Sequence, residues 1–113
     1  MSGEGSMAAA QPSGAVMPAA VKPRPAPLYH IVLLDDDDHT YEYVIEMLEA
    51  LFAHSTEKAY LLAKEVDTTG RVIVDTTTLE RAELKRDQIH AYGPDPRIER
   101  CEGSMSAALE PAE

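Results

Sequence analysis

The pattern of apolar and polar residues along the chain predicts six elements of secondary structure. Residues 29–34 are almost continuously apolar, which is typical of a buried strand. Apolar residues then recur at helical spacing in two segments, Val44, Met47, Leu48, Leu51 and Phe52 in the first and Ala59, Leu62, Ala63 and Val66 in the second. Each set occupies one face of a helix, so two consecutive helices are predicted to pack on a common core.

Residues suited to caps and turns indicate where these two helices begin and end. Thr40 or His39 is predicted to start the first helix, and Ser55 or Thr56 the second. Gly70 is predicted to end the second helix, because glycine adopts the backbone conformation that a helix terminus requires.

The second half of the chain is predicted to hold a strand, a helix and another strand. Branched apolar residues alternate with polar ones over residues 71–76, which is the period of a strand. The spacing of Thr77 and Glu80 fits a capping box for a third helix that extends to Tyr92. A third strand is expected within residues 98–109, with Gly103 and Ser104 indicating a bulge or break inside it.

Composition divides the chain into an arm and one domain. Residues 1–27 are rich in Ala, Pro, Gly and Ser and lack an apolar period, so they are expected to form a disordered extension. Residues 28–113 are enough for one core of two layers, built in the order β, α, α, β, α, β.

Charge and cysteine content restrict the possible partners. The formal net charge of −10 argues against nucleic acid and anionic lipid, which bind clustered Lys and Arg. Cys101 is the only cysteine, which excludes an internal disulfide and a cysteine zinc site. No apolar run reaches the roughly 18 residues of a membrane span, and no signal peptide is recognised. A cytoplasmic monomer is therefore expected.

Four consecutive aspartates, Asp35 to Asp38, follow the first strand directly. A solvated acidic turn, a socket for a cationic group and a divalent metal site are the three interpretations. EF-hand spacing is absent, and the histidines have no metal-ligand spacing. Phosphoacceptor receiver domains also carry an aspartate pair after a strand, but they need about five βα units. Neither a metal, a cofactor nor enzymatic activity is expected.

The remaining chemically active side chains are predicted to have structural roles. His39 and His54 bracket the first helix and are expected at the surface or in caps. Cys101 is expected in the last strand without an assigned partner, as a small apolar or exposed residue.

A set of short motifs extends without gaps from Tyr29 to about Tyr92. The motifs are the strand that ends in Asp35, Asp36 and Asp37, then Glu42 and Val44, Glu57 and Ala59, Val66 and Gly70, and Ala82-Glu83-Leu84-Lys85. This set resembles the ClpS family of adaptors, which hand proteins with destabilising N-terminal residues to a Clp AAA+ protease. The segment Leu109-Glu110-Pro111-Ala112 is similar to the family's ending.

The resemblance implies an α+β fold, a two-layer α/β sandwich in which a three-stranded antiparallel sheet packs on three helices. It also implies a non-enzymatic adaptor whose partner is the N-terminal domain of a Clp AAA+ ATPase, with the N-terminal extension taking part in delivery. Glu80 and Lys85 stand where family members touch that domain, and both are expected on a solvated helix face.

In the family, the α-amine of the substrate is held by an Asn and an Asp after the strand and by a His before the Gly. Asp35, Asp36 and Asp67 occupy these positions, and only Asp36 matches outright. An α-amine is mostly cationic near neutral pH, and carboxylates are suitable acceptors for its N–H donors. The resemblance thus implies either a more acidic amine site or a module that has lost amine recognition and only docks on, or inhibits, an ATPase.

By family position, an apolar pocket receives the first side chain of the substrate, and it is lined by Asp37, His39, Tyr41, Val44, Ala63, Val66 and Met105. Ile98 is the alternative to Met105 in the last strand. The positions of Tyr41 and Ala63 hold methionine in the family. Ala63 is therefore expected to widen the pocket for substrates with N-terminal Leu, Phe, Tyr or Trp, and for Ile as well, unless Tyr41 refills the space.

Overall fold

The computed structural model describes residues 26–36, 38–99 and 101–113. Most of the predicted N-terminal extension, residues 1–27, lies outside the described residues, and so does the predicted pocket residue Asp37. The elements are β1 (Leu28–Leu34), α1 (Tyr41–Phe52), α2 (Thr56–Thr69), β2 (Arg71–Thr78), α3 (Leu79–His90) and β3 (Ser106–Pro111). Their order is the one that the sequence predicts.

β1 is the central strand of an antiparallel sheet with the strand order β2-β1-β3. Its last residue, Leu34, pairs with Arg71 at the start of β2 and with Ser106 at the start of β3. The segments that precede β2 and β3 therefore reach the end of the sheet where the acidic residues leave β1. The predicted class, a three-stranded antiparallel sheet with three helices, is confirmed.

The core lies where the apolar periodicity predicts it. The buried face of α1 consists of Tyr43, Val44, Met47 and Leu48, and that of α2 consists of Ala59, Ala63 and Val66. Each large apolar side chain that is fully buried contributes roughly 1.5 to 3 kcal/mol. This packing fixes the end of α2 relative to the start of α1. No helix in the described part of the chain is long and apolar enough to cross a membrane.

The caps of the first two helices form as predicted. Thr40 Oγ1 accepts a hydrogen bond from the Tyr43 N–H at 3.1 Å, and Ser55 Oγ accepts one from the Lys58 N–H at 3.1 Å. Gly70 follows α2 with a φ of 89°, in the left-handed region that favours glycine. Both helix starts and the end of α2 therefore follow from local sequence.

The predicted boundaries of the third helix are wrong at both ends. Thr77 and Glu80 do not form a capping box, because Thr77 pairs with β1 and the strand β2 continues to Thr78. Thr78 is the N-cap of α3 but makes no side-chain capping bond. The helix ends at His90 rather than at Tyr92. Strand pairing across the sheet therefore overrides the local capping signal.

The last strand is shorter than the predicted range of residues 98–109. β3 begins at Ser106, and the described residues between α3 and β3 form turns and irregular chain. The break that Gly103 and Ser104 indicate is therefore present, and the strand begins only after it. We refer to residues 91–105 as the α3–β3 segment.

Asp95 anchors the α3–β3 segment to the start of α1. Its side chain is buried, and Oδ2 accepts hydrogen bonds from the Thr40 N–H at 2.7 Å and the Thr40 hydroxyl at 2.8 Å. Oδ1 accepts the Arg97 N–H at 3.0 Å. Burial alone would raise the pKa of Asp95, but the hydrogen bonds from Thr40 and Arg97 outweigh it and lower the pKa.

Candidate functional site

The acidic loop, Asp35 to Asp38, connects the central strand to two other parts of the fold. The Asp35 N–H donates to the Gly70 carbonyl at 3.0 Å, which ties the loop to the end of α2. On the other side, Nε2 of His39 lies 2.8 Å from the Gly103 carbonyl oxygen in the α3–β3 segment. The loop is thus the place where α2, β1 and the α3–β3 segment meet.

Asp36 lies at the centre of a small hydrogen-bond network in this loop. Its Oδ1 accepts the Asp38 N–H at 3.0 Å and lies 2.8 Å from Nδ1 of His39. The Asp36 side chain is 33% exposed, whereas that of His39 is 3% exposed. Asp36 therefore combines a fixed carboxylate with access to solvent.

The expectation of a surface or capping role for His39 is wrong. Its ring is held between Asp36 and Gly103 and packs against the Tyr43 ring at a centroid distance of 4.4 Å. His54, at the other end of α1, lies with Nε2 2.8 Å from the Val74 carbonyl oxygen. Both histidines therefore join segments that are distant in the sequence, and a local pattern cannot reveal such contacts.

Asp67 lies in the last turn of α2 and is exposed. Its Oδ2 accepts a hydrogen bond from the hydroxyl of Tyr41, the first residue of α1, at 3.1 Å. The pKa of Tyr41 is raised above its usual value. The main cause is partial removal of the hydroxyl from water, and the hydrogen bond to Asp67 and the negative charge of Asp67 add to it. The Tyr41 hydroxyl therefore stays protonated near neutral pH and remains a donor to Asp67.

The four apolar residues predicted to line a pocket all belong to the core. Val44, Ala63, Val66 and Met105 are at most 4% exposed and form part of one apolar cluster. Met105, which immediately precedes β3, lies with the other three residues, whereas its alternative Ile98 is only half-buried in the α3–β3 segment. The structure thus brings these positions together, and their role in binding stays a prediction.

A polar cavity of about 390 Å³ opens beside the acidic loop, and it is lined by Asp36, Asp38, His39, Cys101, Glu102, Gly103 and Ser104. Cys101 was expected in the last strand without an assigned partner, and this prediction is wrong. The residue lies in the α3–β3 segment, and its Sγ is 3.4 Å from Nε2 of His39. The cavity carries more carboxylates than cationic groups, so it favours a cation. No set of three or more ligating side chains in the described ranges is arranged to hold a metal ion.

Glu80 and Lys85 lie on α3 in different environments. Glu80 is exposed in the first turn, as expected. Lys85 is half-buried rather than solvated, because Nζ donates to the Leu51 carbonyl at 2.5 Å and lies 5.6 Å from the centroid of the Phe52 ring. Lys85 therefore satisfies a backbone acceptor at the end of α1.

Known proteins resemble this chain in sequence. A sequence model of the family described as ATP-dependent Clp protease adaptor protein ClpS matches residues 24–95. The ClpS adapter proteins of three strains of Vibrio cholerae serotype O1 are 38% identical over 69 residues. The match covers 61% of this chain and 65% of each relative.

A solved structure resembles the fold. Agrobacterium tumefaciens ClpS2, whose structure was determined bound to L-phenylalaninamide, has a TM-score of 0.66 and 23% sequence identity to this chain. The match covers 77% of this chain and 99% of that one. This similarity supports the fold, and the family match covers more than half of the sequence. The protein therefore belongs to the ClpS family, a family of Clp protease adaptors rather than of catalysts.

Proposed function

We propose that this protein binds the free α-amine and the bulky apolar first side chain of substrate proteins and delivers them to the N-terminal domain of a Clp AAA+ ATPase. The observation that carries the proposal is the state of Asp36, the residue that matches the family's amine-binding aspartate. Its carboxylate is oriented by contacts of 3.0 and 2.8 Å to Oδ1, yet it is 33% exposed at the edge of a cavity.

The chemistry of an α-ammonium explains why a carboxylate in this state is needed. The group carries a positive charge and three N–H donors, and charge-assisted hydrogen bonds to a carboxylate are about twice as strong as neutral ones. Acetylation removes both the charge and two of the donors, so an acetylated N-terminus loses these bonds. Asp35 and Asp67, at the start of the loop and the end of α2, supply further negative charge.

The side chain of the first residue is proposed to pack against the apolar cluster beside this loop. Val44, Ala63, Val66 and Met105 supply its walls, and Tyr41 packs against the same cluster. Leu, Phe, Tyr and Trp are the proposed first residues. The presence of L-phenylalaninamide, which has a free α-amine and an aromatic side chain, in the Agrobacterium protein supports this choice.

A second candidate function is favoured by the bond between Tyr41 and Asp67. Because the Tyr41 hydroxyl already occupies Oδ2 of Asp67 at 3.1 Å, one of the three mapped acids is engaged within the protein. A module that docks on an ATPase through α3, without recognising amines, would be consistent with this contact. Glu80 and Lys85 are the proposed docking residues in both cases.

Fluorescence anisotropy with labelled peptides that differ only at residue one separates the two functions. We expect peptides with N-terminal Leu, Phe, Tyr and Trp to bind, and those with Ala or Arg and N-acetylated Phe and Leu peptides not to bind. Loss of binding on acetylation is the decisive control. Failure of every free N-terminus to bind would leave the docking module, and a Clp ATPase pull-down with a Glu80→Ala control would then test that function.

Delivery requires a separate measurement. We expect the protein to accelerate degradation of a reporter with N-terminal Phe by a Clp ATPase and its protease, and to have no effect on a reporter with N-terminal Ala. Equal acceleration of both reporters would show that the first residue is not read.

A further inference from the structure

His39 is the buried link between the acidic loop and the α3–β3 segment. Nδ1 lies 2.8 Å from Oδ1 of Asp36, and Nε2 lies 2.8 Å from the Gly103 carbonyl oxygen. The side chain is 3% exposed, and its ring packs on Tyr43 at a centroid distance of 4.4 Å. A ring that is held at both nitrogens and on one face has one orientation.

The two oxygens that lie 2.8 Å from the His39 ring, Asp36 Oδ1 and the Gly103 carbonyl, are hydrogen-bond acceptors. An ionised carboxylate and a backbone carbonyl only accept, whereas a neutral imidazole carries one N–H. The contacts to Asp36 and Gly103 are therefore satisfied together when both ring nitrogens carry protons. A ring in this form also offsets part of the negative charge that Asp38 and Glu102 bring to the same cavity.

The contacts of Asp36 involve one of its two carboxylate oxygens. Oδ1 receives both the His39 contact and the Asp38 N–H at 3.0 Å. No bond to Oδ2 is seen among the residues that the structure describes. The direction of Oδ2 is therefore set by bonds made to Oδ1, and Oδ2 is the oxygen that can accept from an incoming donor.

We infer that His39 is a positioning residue that orients the Asp36 carboxylate for the substrate α-ammonium. The inference rests on the proposed function and assigns His39 a different role from the predicted one, the lining of the side-chain pocket. Because both nitrogens are engaged within the protein, the ring acts through Asp36. It also makes the geometry of the amine site depend on the α3–β3 segment, through Gly103.

A double-mutant cycle tests this role. His39→Gln removes the bridge between Asp36 and Gly103, and we expect affinity for a peptide with a free N-terminal Phe to fall about fivefold to tenfold. In an Asp36→Asn background, the same change is expected to alter affinity less than about twofold, because the group on which His39 acts is gone. His54→Gln is the matched control, since His54 contacts a backbone carbonyl at 2.8 Å and has no carboxylate partner in the described structure.

The outcomes separate this inference from the proposed function. If the unaltered protein binds no free N-terminus, both fail. If it binds and His39→Gln has the same affinity, or if His39→Gln weakens binding equally in both backgrounds, only the positioning role is overturned. If His54→Gln lowers peptide affinity as much as His39→Gln does, the positioning role of His39 is likewise overturned.

A second measurement covers the case in which His39→Gln does not fold. The ¹⁵N NMR spectrum of the His39 ring in the unaltered protein at neutral pH distinguishes one protonated nitrogen from two. A protonated Nδ1 whose signal is shifted by Asp36→Asn would support the positioning role. An Nδ1 without a proton, or a spectrum insensitive to Asp36→Asn, would overturn it.

Discussion

Asp36 and Asp95 both lie in loops, but they differ in exposure and in how their carboxylate oxygens are hydrogen-bonded. Asp95 is 1% exposed, and both of its oxygens accept hydrogen bonds, from Thr40 and Arg97. The side chain of Asp36 is 33% exposed, and the contacts described for it use Oδ1 alone. An acid whose acceptors are all used within the protein contributes to stability, whereas an acid with an accessible oxygen can bind a cation.

The largest effect is expected from Asp95→Ala, which tests the stability half of this comparison. The change leaves the Thr40 N–H and the Arg97 N–H without their acceptor, so the free energy of unfolding should fall by about 3 kcal/mol. Urea denaturation measures the loss. Asp87→Ala is the control, because the Asp87 side chain is 67% exposed and its loss should change stability by less than about 0.5 kcal/mol. Equal losses in the two variants would contradict the role of Asp95.

Asp36→Asn should show the reverse behaviour. Affinity for a peptide with a free N-terminal Phe is expected to fall about 30-fold, or about 2 kcal/mol, because the charge that meets the α-ammonium is lost. The free energy of unfolding should change by less than about 0.5 kcal/mol, since Asn retains an acceptor for the Asp38 N–H. Anisotropy and urea denaturation on the same sample measure both quantities. A large loss of stability with unchanged affinity would reverse the assignment.

Acid should reveal the contribution of Asp95 to stability. The pKa of Asp95 is lower in the folded protein than its usual value of 3.8. Its stabilising contribution is therefore fully present above that value and is lost as the pH falls through the lower, folded pKa. We expect the melting temperature of the unaltered protein to fall more steeply with decreasing pH in this acidic range than that of Asp95→Asn. Parallel curves, measured by circular dichroism, would show that Asp95 does not contribute.

The smallest effect is expected from Tyr41→Phe, which releases an acid that is now engaged. Removing the hydroxyl frees Oδ2 of Asp67, so affinity for a free N-terminal Phe should rise about twofold to threefold, or roughly 0.5 kcal/mol. Tyr60→Phe is the control, because that ring lies 6.0 Å from the Tyr41 ring and is exposed. Unchanged affinity in Tyr41→Phe would place Asp67 outside the amine site.

The fold follows from the sequence where local physics decides the structure. The faces of α1 and α2 are set by apolar spacing, and the caps at Thr40, Ser55 and Gly70 by side-chain and backbone chemistry of single residues. The predicted capping box at Thr77 does not form, because Thr77 is part of β2 and pairs with Tyr29 of β1. Boundaries that depend on partners far along the chain are therefore the ones that the sequence pattern misplaces.

In the candidate site, too, local features could be predicted from the sequence and contacts between distant residues could not. The acidic loop and its family positions are visible in the sequence, since they follow an apolar strand without interruption. The contact between His39 and Gly103 cannot be predicted from a local pattern, because the two residues are 64 positions apart. Asp95 was missed for the same reason, as its partner Thr40 is 55 residues away. The Gly103-Ser104 break was recognised in the sequence, but it was placed inside the last strand, whereas β3 begins only after it.

The central position of β1 has a consequence for the order in which the protein folds. The bond between His30 and Thr76 spans 46 residues, whereas the contact between His39 and Gly103 spans 64. Because longer loops cost more conformational entropy to close, we expect β2 to pair with β1 before the α3–β3 segment docks. Pulse-labelled hydrogen exchange during refolding should show later protection in β3 than in β2, and simultaneous protection would contradict this order. A chain still on the ribosome would then expose its acidic loop before Gly103 has emerged to contact His39.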